Sequence, residues 1–183
     1  MTVLSVLVVC TGNVCRSPAA QLVLSSVLDG TVEVTSAGTG ALVGAPVAGP
    51  MARQLARRGL DVSGFVARPV AADLLESAEL VLTMTRAHRA AVLELAPAAL
   101  RRCLLFTEVA ALAQRVPSVP EASDDAARLR AVVVGAGRAR ATLGGLGPDQ
   151  DIEDPYGHDD DVHARVLDRI VDETDLLVTA LRR

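Results

Sequence analysis

The sequence predicts an α/β fold: a three-layer sandwich with a four-stranded parallel sheet and helices on both faces. Three observations carry that prediction. Short apolar, β-branched runs alternate with longer segments of helical spacing along the chain. The first run, Val3–Val9, is continuously apolar, as in a parallel strand buried on both faces. Half of the 183 residues are apolar, ample for one core, yet only Phe65, Phe106 and Tyr156 are aromatic, so that core is aliphatic.

The elements follow in order. Val3–Val9 is the first strand. Pro18–Leu28 is a helix, with Ser17 as its N-cap and Pro18 at its first position. Val32–Ser36 is the second strand, followed by a glycine-rich loop from Gly38 to Pro50. Pro50 opens a helix that Gly59 closes. Ala72–Ala78 is a short helix, Leu80–Met84 the third strand, Arg86–Leu95 a helix ended by Pro97, and Arg102–Phe106 the fourth strand. A final helix, about Asp161–Leu181, places Val162, Val166, Ile170, Thr174, Leu177 and Leu181 at core spacing. The chain reads as one domain over residues 1–183. The stretch at about 117–150 differs, combining Pro, Ser and Asp with an Arg/Ala helical segment and the run Gly144-Gly145-Leu146-Gly147-Pro148. It reads as an inserted excursion, more simply solvated than a lid or a protein contact.

Composition removes several function classes. A net charge of -4 leaves no electrostatic footprint for nucleic acid. All 18 basic residues are arginine, so no lysine chemistry is available. Three cysteines make no secreted disulfide framework and fit a reducing, cytoplasmic setting. The apolar start is too short for a signal peptide and lacks a basic flank. No run is long enough for membrane insertion.

The chemistry concentrates in Val9-Cys10-Thr11-Gly12-Asn13-Val14-Cys15-Arg16-Ser17-Pro18. The segment joins the first strand to the first helix, where ligands bind in doubly wound folds. Five residues between Cys10 and Arg16 let a loop wrap a tetrahedral oxyanion. The N–H groups of Thr11, Gly12, Asn13, Val14, Cys15, Arg16 and Ser17 are then candidates to cradle it, with the guanidinium gripping two oxygens. The helix field favours a Cys10 thiolate, the nucleophilic form. Ser17 can give its hydroxyl to that sulfur. Asn13 suits a left-handed conformation, and Gly12 a close backbone approach. Asp154-Pro155-Tyr156-Gly157 supplies the second part. The proline biases Asp154 to an extended loop conformation, and phosphoryl transfer from an ester needs an acid for the leaving oxygen.

Together these motifs resemble the low-molecular-weight protein tyrosine phosphatases, whose fold is the phosphatase I-like sandwich. The resemblance also takes in Ser36-Ala37-Gly38-Thr39-Gly40, Ala67-Arg68, Leu80-Val81-Leu82-Thr83-Met84 with His88, and Glu153-Asp154-Pro155-Tyr156-Gly157. It covers roughly residues 3–106 and 151–181. It implies hydrolysis of phosphotyrosine in proteins through a phosphocysteine on Cys10. Arg16 and the loop would hold the phosphoryl oxygens, and Asp154 would act as acid and then base. Asn13, Ser17 and Ser36 would brace the loop, and Tyr156 would wall the substrate cleft. No metal or other cofactor is implied. Leu42 or Val43 stands where many eukaryotic members place an aromatic, so the chain looks more like bacterial members. Their substrates include autophosphorylated tyrosine kinases of polysaccharide export, and inorganic phosphate or similar oxyanions would also bind. Phe65 stands where the family usually has a histidine, and Gln21 where it usually has glutamate.

Alternatives stand beside this reading. Arginine phosphatases share the loop but typically have threonine where Val14 stands, and a single side chain can set such discrimination. A thioredoxin-linked arsenate reductase needs further cysteines, and only Cys103 remains beyond the loop pair, at a core position on the fourth strand. A silent phosphotyrosine-binding protein would not need Cys10 or Asp154. Val132–Gly137 imitates a dinucleotide loop without its context. His158, Asp159, Asp160, Asp161 and His163 read as acids at a helix N-terminus and surface histidines rather than a metal site. His88 reads as an exposed helix residue. Cys15 is a wall residue of the loop, or a partner for Cys10 in a reversible disulfide.

Overall fold

The structure is a computed structural model that describes residues 3–117, 124–142 and 150–183. β1 (Leu4–Cys10) leads through a five-residue loop into α1 (Arg16–Val27), and β2 (Val32–Gly38) follows. Next come α2 (Gly49–Arg57), α3 (Ala72–Ser77), β3 (Leu80–Thr83) and α4 (Arg86–Leu95). A 3-10 turn at Pro97–Arg101 precedes β4 (Cys103–Leu105) and α5 (Phe106–Ala113). α6 (Asp125–Thr142) and α7 (Asp160–Leu181) complete the described chain.

The sheet is parallel throughout, in the order β2-β1-β3-β4. Its central strand shows why the first run is continuously apolar. Leu4, Val6, Val8 and Cys10 enter the core beneath α1 and α7, while Leu7 and Val9 enter the core beneath α3 and α4. Both faces are therefore covered, and the alternation of a half-solvated strand is absent. β2 and β3 lie on opposite sides of β1, so the strand order reverses there. The crevice beyond the carboxyl end of β1 is the ligand position of such a sheet. Cys10 is the last residue of β1, paired with Gly38 of β2.

Several elements differ from the sequence reading. α1 begins at Arg16, and Cys15 occupies the cap position without a side-chain hydrogen bond. Ser17 is thus not the N-cap; its hydroxyl is held by Asn13 and Cys10 instead. α5 was not expected, because its apolar residues run straight on from β4. Glu108 marks its start: Oε2 accepts the Leu105 N–H at 3.1 Å, a first-turn carboxylate satisfying a free donor. The excursion is not a solvated insertion where it is described. α6 buries Ala126, Leu129, Val132, Ala136 and Ala139 in the same core as α1 and α7. It packs on α5 and the 3-10 turn. Arg140 reaches the fully buried Glu108, donating from Nε at 2.5 Å and from Nη2 at 2.8 Å. The Val132–Gly137 stretch lies within this continuous helix and forms no phosphate-binding turn. The glycine-rich residues 144–148 fall outside the described residues.

In α7, Val166, Ile170, Thr174, Leu177 and Leu181 are buried as the spacing predicts, whereas Val162 is only partly covered. Among the described residues, no helix is long and apolar enough to cross a membrane.

Candidate active site

The loop after β1 is shaped by one residue more than any other. Asn13 is fully buried and has φ 53°, in the left-handed region that asparagine tolerates better than most side chains. Its amide ties three parts of the chain together. Nδ2 donates to Ser17 Oγ and to Ser36 Oγ, both at 2.9 Å, and Oδ1 accepts the Arg68 N–H at 2.9 Å. Ser36 Oγ in turn donates to Gln21 Oε1 at 2.7 Å. Asn13, Ser17 and Ser36 therefore lie behind the loop, joining it to α1, β2 and the segment before Pro69. Phe65, at the place where the family usually has histidine, packs against the core instead. Gln21 is the side chain that closes this hydrogen-bonded chain.

The loop carbonyls are taken from outside. Cys10 O accepts from Thr39 N at 2.9 Å, Thr11 O from Gly40 N at 3.0 Å, Gly12 O from Leu42 N at 3.0 Å and Val14 O from Ala48 N at 2.8 Å. Carbonyls turned outward leave the N–H groups facing in, the polarity an anion needs. The close backbone approach falls at Gly38 rather than Gly12. A Cβ on Gly38 would stand 2.3 Å from Thr11 O, whereas one on Gly12 would meet nothing nearer than 3.4 Å.

Cys10 is buried at the base of the loop. The Asn13 N–H points at its sulfur from 3.3 Å, and Ser17 Oγ lies 2.9 Å from it. Arg16, 3% exposed, donates from Nη1 to Ile152 O at 3.1 Å and from Nη2 to Asp154 Oδ2 at 2.5 Å. Its buried Nε has no protein acceptor among the described residues. Buried donors are usually satisfied, and an oxyanion in the loop would satisfy this one. Asp154 is held by its chain neighbours: Ile152 N donates to Met84 O at 2.9 Å, and the Tyr156 N–H donates to Asp154 Oδ1 at 3.2 Å. Its side chain is about half exposed, at 47%, so the carboxyl stands over the loop in contact with solvent.

A cavity of ≈ 140 Å³ opens here, with Cys10, Thr11, Arg16, Asp154, Leu42 and Tyr156 among its walls. Leu42 and Tyr156 give it an apolar rim. Val43 does not line it and is 71% exposed. Val14 and Cys15 are buried in the wall. Burial, reinforced by Cys10 and Asp154, pushes the Cys15 thiol up to about 12, which keeps it protonated. Cys103 is fully buried on β4, its thiol pushed up to about 11 by burial. Both are free thiols, as is Cys10.

Two histidines depart from the sequence reading. His88 is not an exposed helix residue: it is 6% exposed, with Nε2 2.8 Å from Thr11 Oγ1 and Nδ1 2.9 Å from Thr85 Oγ1. Burial, then the Arg16 charge, lowers its pKa to about 4. His163 is likewise buried, not a surface residue, and burial lowers its pKa. The signal for His88 was present in Thr85, a helix cap three residues earlier whose hydroxyl accepts the His88 N–H. Among the described residues no cluster of three His, Cys, Asp or Glu side chains is placed to hold a metal ion.

The sequence pattern of the family described as low molecular weight phosphotyrosine protein phosphatase matches residues 5–124. The chain belongs to this family. The match takes in the Cys10 loop, Ser36, Arg68 and His88 and stops before Asp154. Among curated relatives, the low molecular weight protein-tyrosine-phosphatase Etp of Escherichia coli K12 is 35% identical over 102 residues, 56% of this chain and 68% of its own length. The tyrosine phosphatase AmsI of Erwinia amylovora superposes with a TM-score of 0.74 at 24% identity, covering 100% of this chain and 95% of its own. The YwlE arginine phosphatase of Geobacillus stearothermophilus gives a TM-score of 0.72, also at 24% identity, covering 98% and 93%. Those two likenesses establish the fold, which both chemistries share.

Proposed function

We infer that this chain is a cysteine-dependent protein tyrosine phosphatase that hydrolyses phosphotyrosine in proteins. The observation that carries the reading is the convergence of Cys10 Sγ, the Arg16 guanidinium and the Asp154 carboxyl on one cavity with an apolar rim. In the first step the Cys10 thiolate attacks phosphorus, forming the S–P bond as the ester P–O bond breaks. Asp154, as the acid, protonates the departing tyrosine oxygen. In the second step Asp154 takes a proton from water, the water oxygen bonds to phosphorus, and the S–P bond breaks. Inorganic phosphate leaves and the Cys10 thiolate is restored. Arg16 and the inward N–H groups hold the three equatorial oxygens throughout. Phosphoryl oxygens compete with Asp154 for Arg16 Nη2, which frees the carboxyl for the leaving oxygen. Ser17 Oγ stabilises the sulfur as nucleophile and as leaving group.

Tyr156 and Leu42 suit an aryl ring, and the apolar Val14 in the cavity wall favours an aryl ester over a charged guanidino phosphate. No metal or other cofactor enters these steps. The family resemblance points to an autophosphorylated bacterial tyrosine kinase of polysaccharide export as the protein substrate, and three cysteines without a disulfide framework fit the cytoplasm as its place. Hydrolysis of para-nitrophenyl phosphate from pH 4.5 to 8, beside Cys10→Ser and Asp154→Ala, tests the reading. Turnover by the wild type, its loss in Cys10→Ser and a strong reduction in Asp154→Ala are expected. A folded wild type without turnover would overturn it.

A further inference from the structure

We propose that Thr11 donates a hydrogen bond from its hydroxyl to the bound oxyanion, and that His88 is the positioning residue that aims it. Thr85, His88, Thr11 and Arg16 form one hydrogen-bonded chain of side chains that ends at the cavity. Thr11 directly follows Cys10 and lines the same cavity as Arg16 and Asp154. Its Oγ1 lies 2.8 Å from His88 Nε2 and accepts from Arg16 Nη2 at 3.4 Å. At the far side of the ring, Nδ1 lies 2.9 Å from Thr85 Oγ1, which also accepts the His88 backbone N–H at 3.2 Å.

The imidazole is neutral in the working range: burial and Arg16 depress its pKa to about 4, against the smaller opposing effects of Asp154 and Asp151. A neutral ring has one N–H donor and one bare acceptor, so the two threonines take opposite roles. In one tautomer Thr85 O–H donates to Nδ1 and Nε2–H donates to Thr11. Both Thr11 lone pairs are then used, by His88 and Arg16, and its own proton is left to face the cavity. In the other tautomer Thr11 spends its proton on Nε2. Thr85 Oγ1 then receives both the ring N–H and the backbone N–H and, being only partly buried, turns its own proton to solvent. A bound oxyanion selects the first tautomer, which turns a hydroxyl donor into the cradle, whereas the second would face it with a bare lone pair. Thr11 would thus bind a phosphoryl oxygen beside Arg16.

This inference rests on the cavity being the phosphoryl site. It is tested by 15N NMR of the imidazole in wild-type protein saturated with inorganic phosphate at pH 7 and by calorimetric titration with inorganic phosphate. A protonated Nε2 with a bare Nδ1 is expected. Thr11→Val is expected to weaken phosphate binding at least about tenfold, the scale of a hydrogen bond to a charged acceptor, and Thr11→Ser to restore it to within about twofold. His88→Gln, which can supply a donor at the Nε2 position, is expected to bind phosphate more tightly than His88→Asn, which reaches only the Nδ1 position. A protonated Nδ1, or phosphate binding by Thr11→Val equal to that of the wild type, would overturn the proposal. Wild-type protein that neither binds phosphate nor turns over aryl phosphate would instead overturn the phosphatase reading. The NMR measurement needs no variant, so it stands if Thr11→Val fails to fold.

Discussion

Replacing Asn13 by alanine removes three hydrogen bonds at once, two of them fully buried, and leaves an alanine at φ 53°. At about 1 kcal/mol each, the bonds contribute about 3 kcal/mol. Ser17 and Ser36 keep other partners in Cys10 and Gln21, so the group stranded is the Arg68 N–H, which raises the cost toward the upper end for that bond. The left-handed backbone adds roughly 1 kcal/mol more for alanine. A total near 4 to 5 kcal/mol is a large share of a domain's stability of about 5–15 kcal/mol. Asn13→Gly removes the same bonds without the backbone strain, but glycine's greater unfolded-state entropy offsets about 0.4–1 kcal/mol of that relief, so it should be no more harmful than Asn13→Ala. Equilibrium urea unfolding reads the stability, and kcat/KM for an aryl phosphate reads the loop. Both should fall together in Asn13→Ala. Stability within about 0.5 kcal/mol of wild type, with full kcat/KM, would refute the claim that this amide holds the loop in its anion-binding shape.

Other outcomes follow from the same structure. His88 has its pKa depressed from 6.5 to about 4 by burial, so protonation favours the unfolded chain. The stability it contributes is present above pH 6.5 and lost as pH falls toward 4. About 2.5 pKa units amount to about 3 kcal/mol, with His163 adding in the same direction. The urea midpoint should fall from pH 7 to 5 and fall less in His88→Gln; a midpoint flat over that range contradicts the assignment. Arg140→Ala would leave the buried Glu108 without its guanidinium and should cost about 3–5 kcal/mol. Amide exchange should then speed up in both α5 and α6, whereas a loosely attached α6 would leave α5 unchanged. Gly38→Ala would press a methyl against Thr11 O and should lower kcat/KM at least about tenfold with intact helix content by circular dichroism; unchanged activity would show that the loop yields cheaply.

The motif residues were legible because their chemistry is local. Cys10 and Arg16 share one turn of chain, and Pro155 sets Asp154 on a loop, so spacing alone places them. The sheet was legible because a strand buried on both faces has no polar alternation to hide it. The errors share a different cause. His88 meets Thr11 across 77 residues of sequence, and helical periodicity cannot report a contact made only in three dimensions. α6 intersperses six alanines with four arginines, a weak amphipathic signal, and its burial depends on α5 and Glu108 arriving beside it. Ser17 has the ideal chemistry for a cap, but Asn13 and Cys10 compete for its hydroxyl and win.

In the proposed reaction the phosphoryl group passes covalently through Cys10. It is tested most directly by acid-quenching the wild type during turnover of a phosphotyrosyl peptide and mapping the adduct by mass spectrometry. A phosphate on Cys10 is expected, accumulating in Asp154→Ala when the leaving group is good, with no hydrolysis by Cys10→Ser. Sustained hydrolysis by Cys10→Ser, with no phosphocysteine in the wild type, would contradict it.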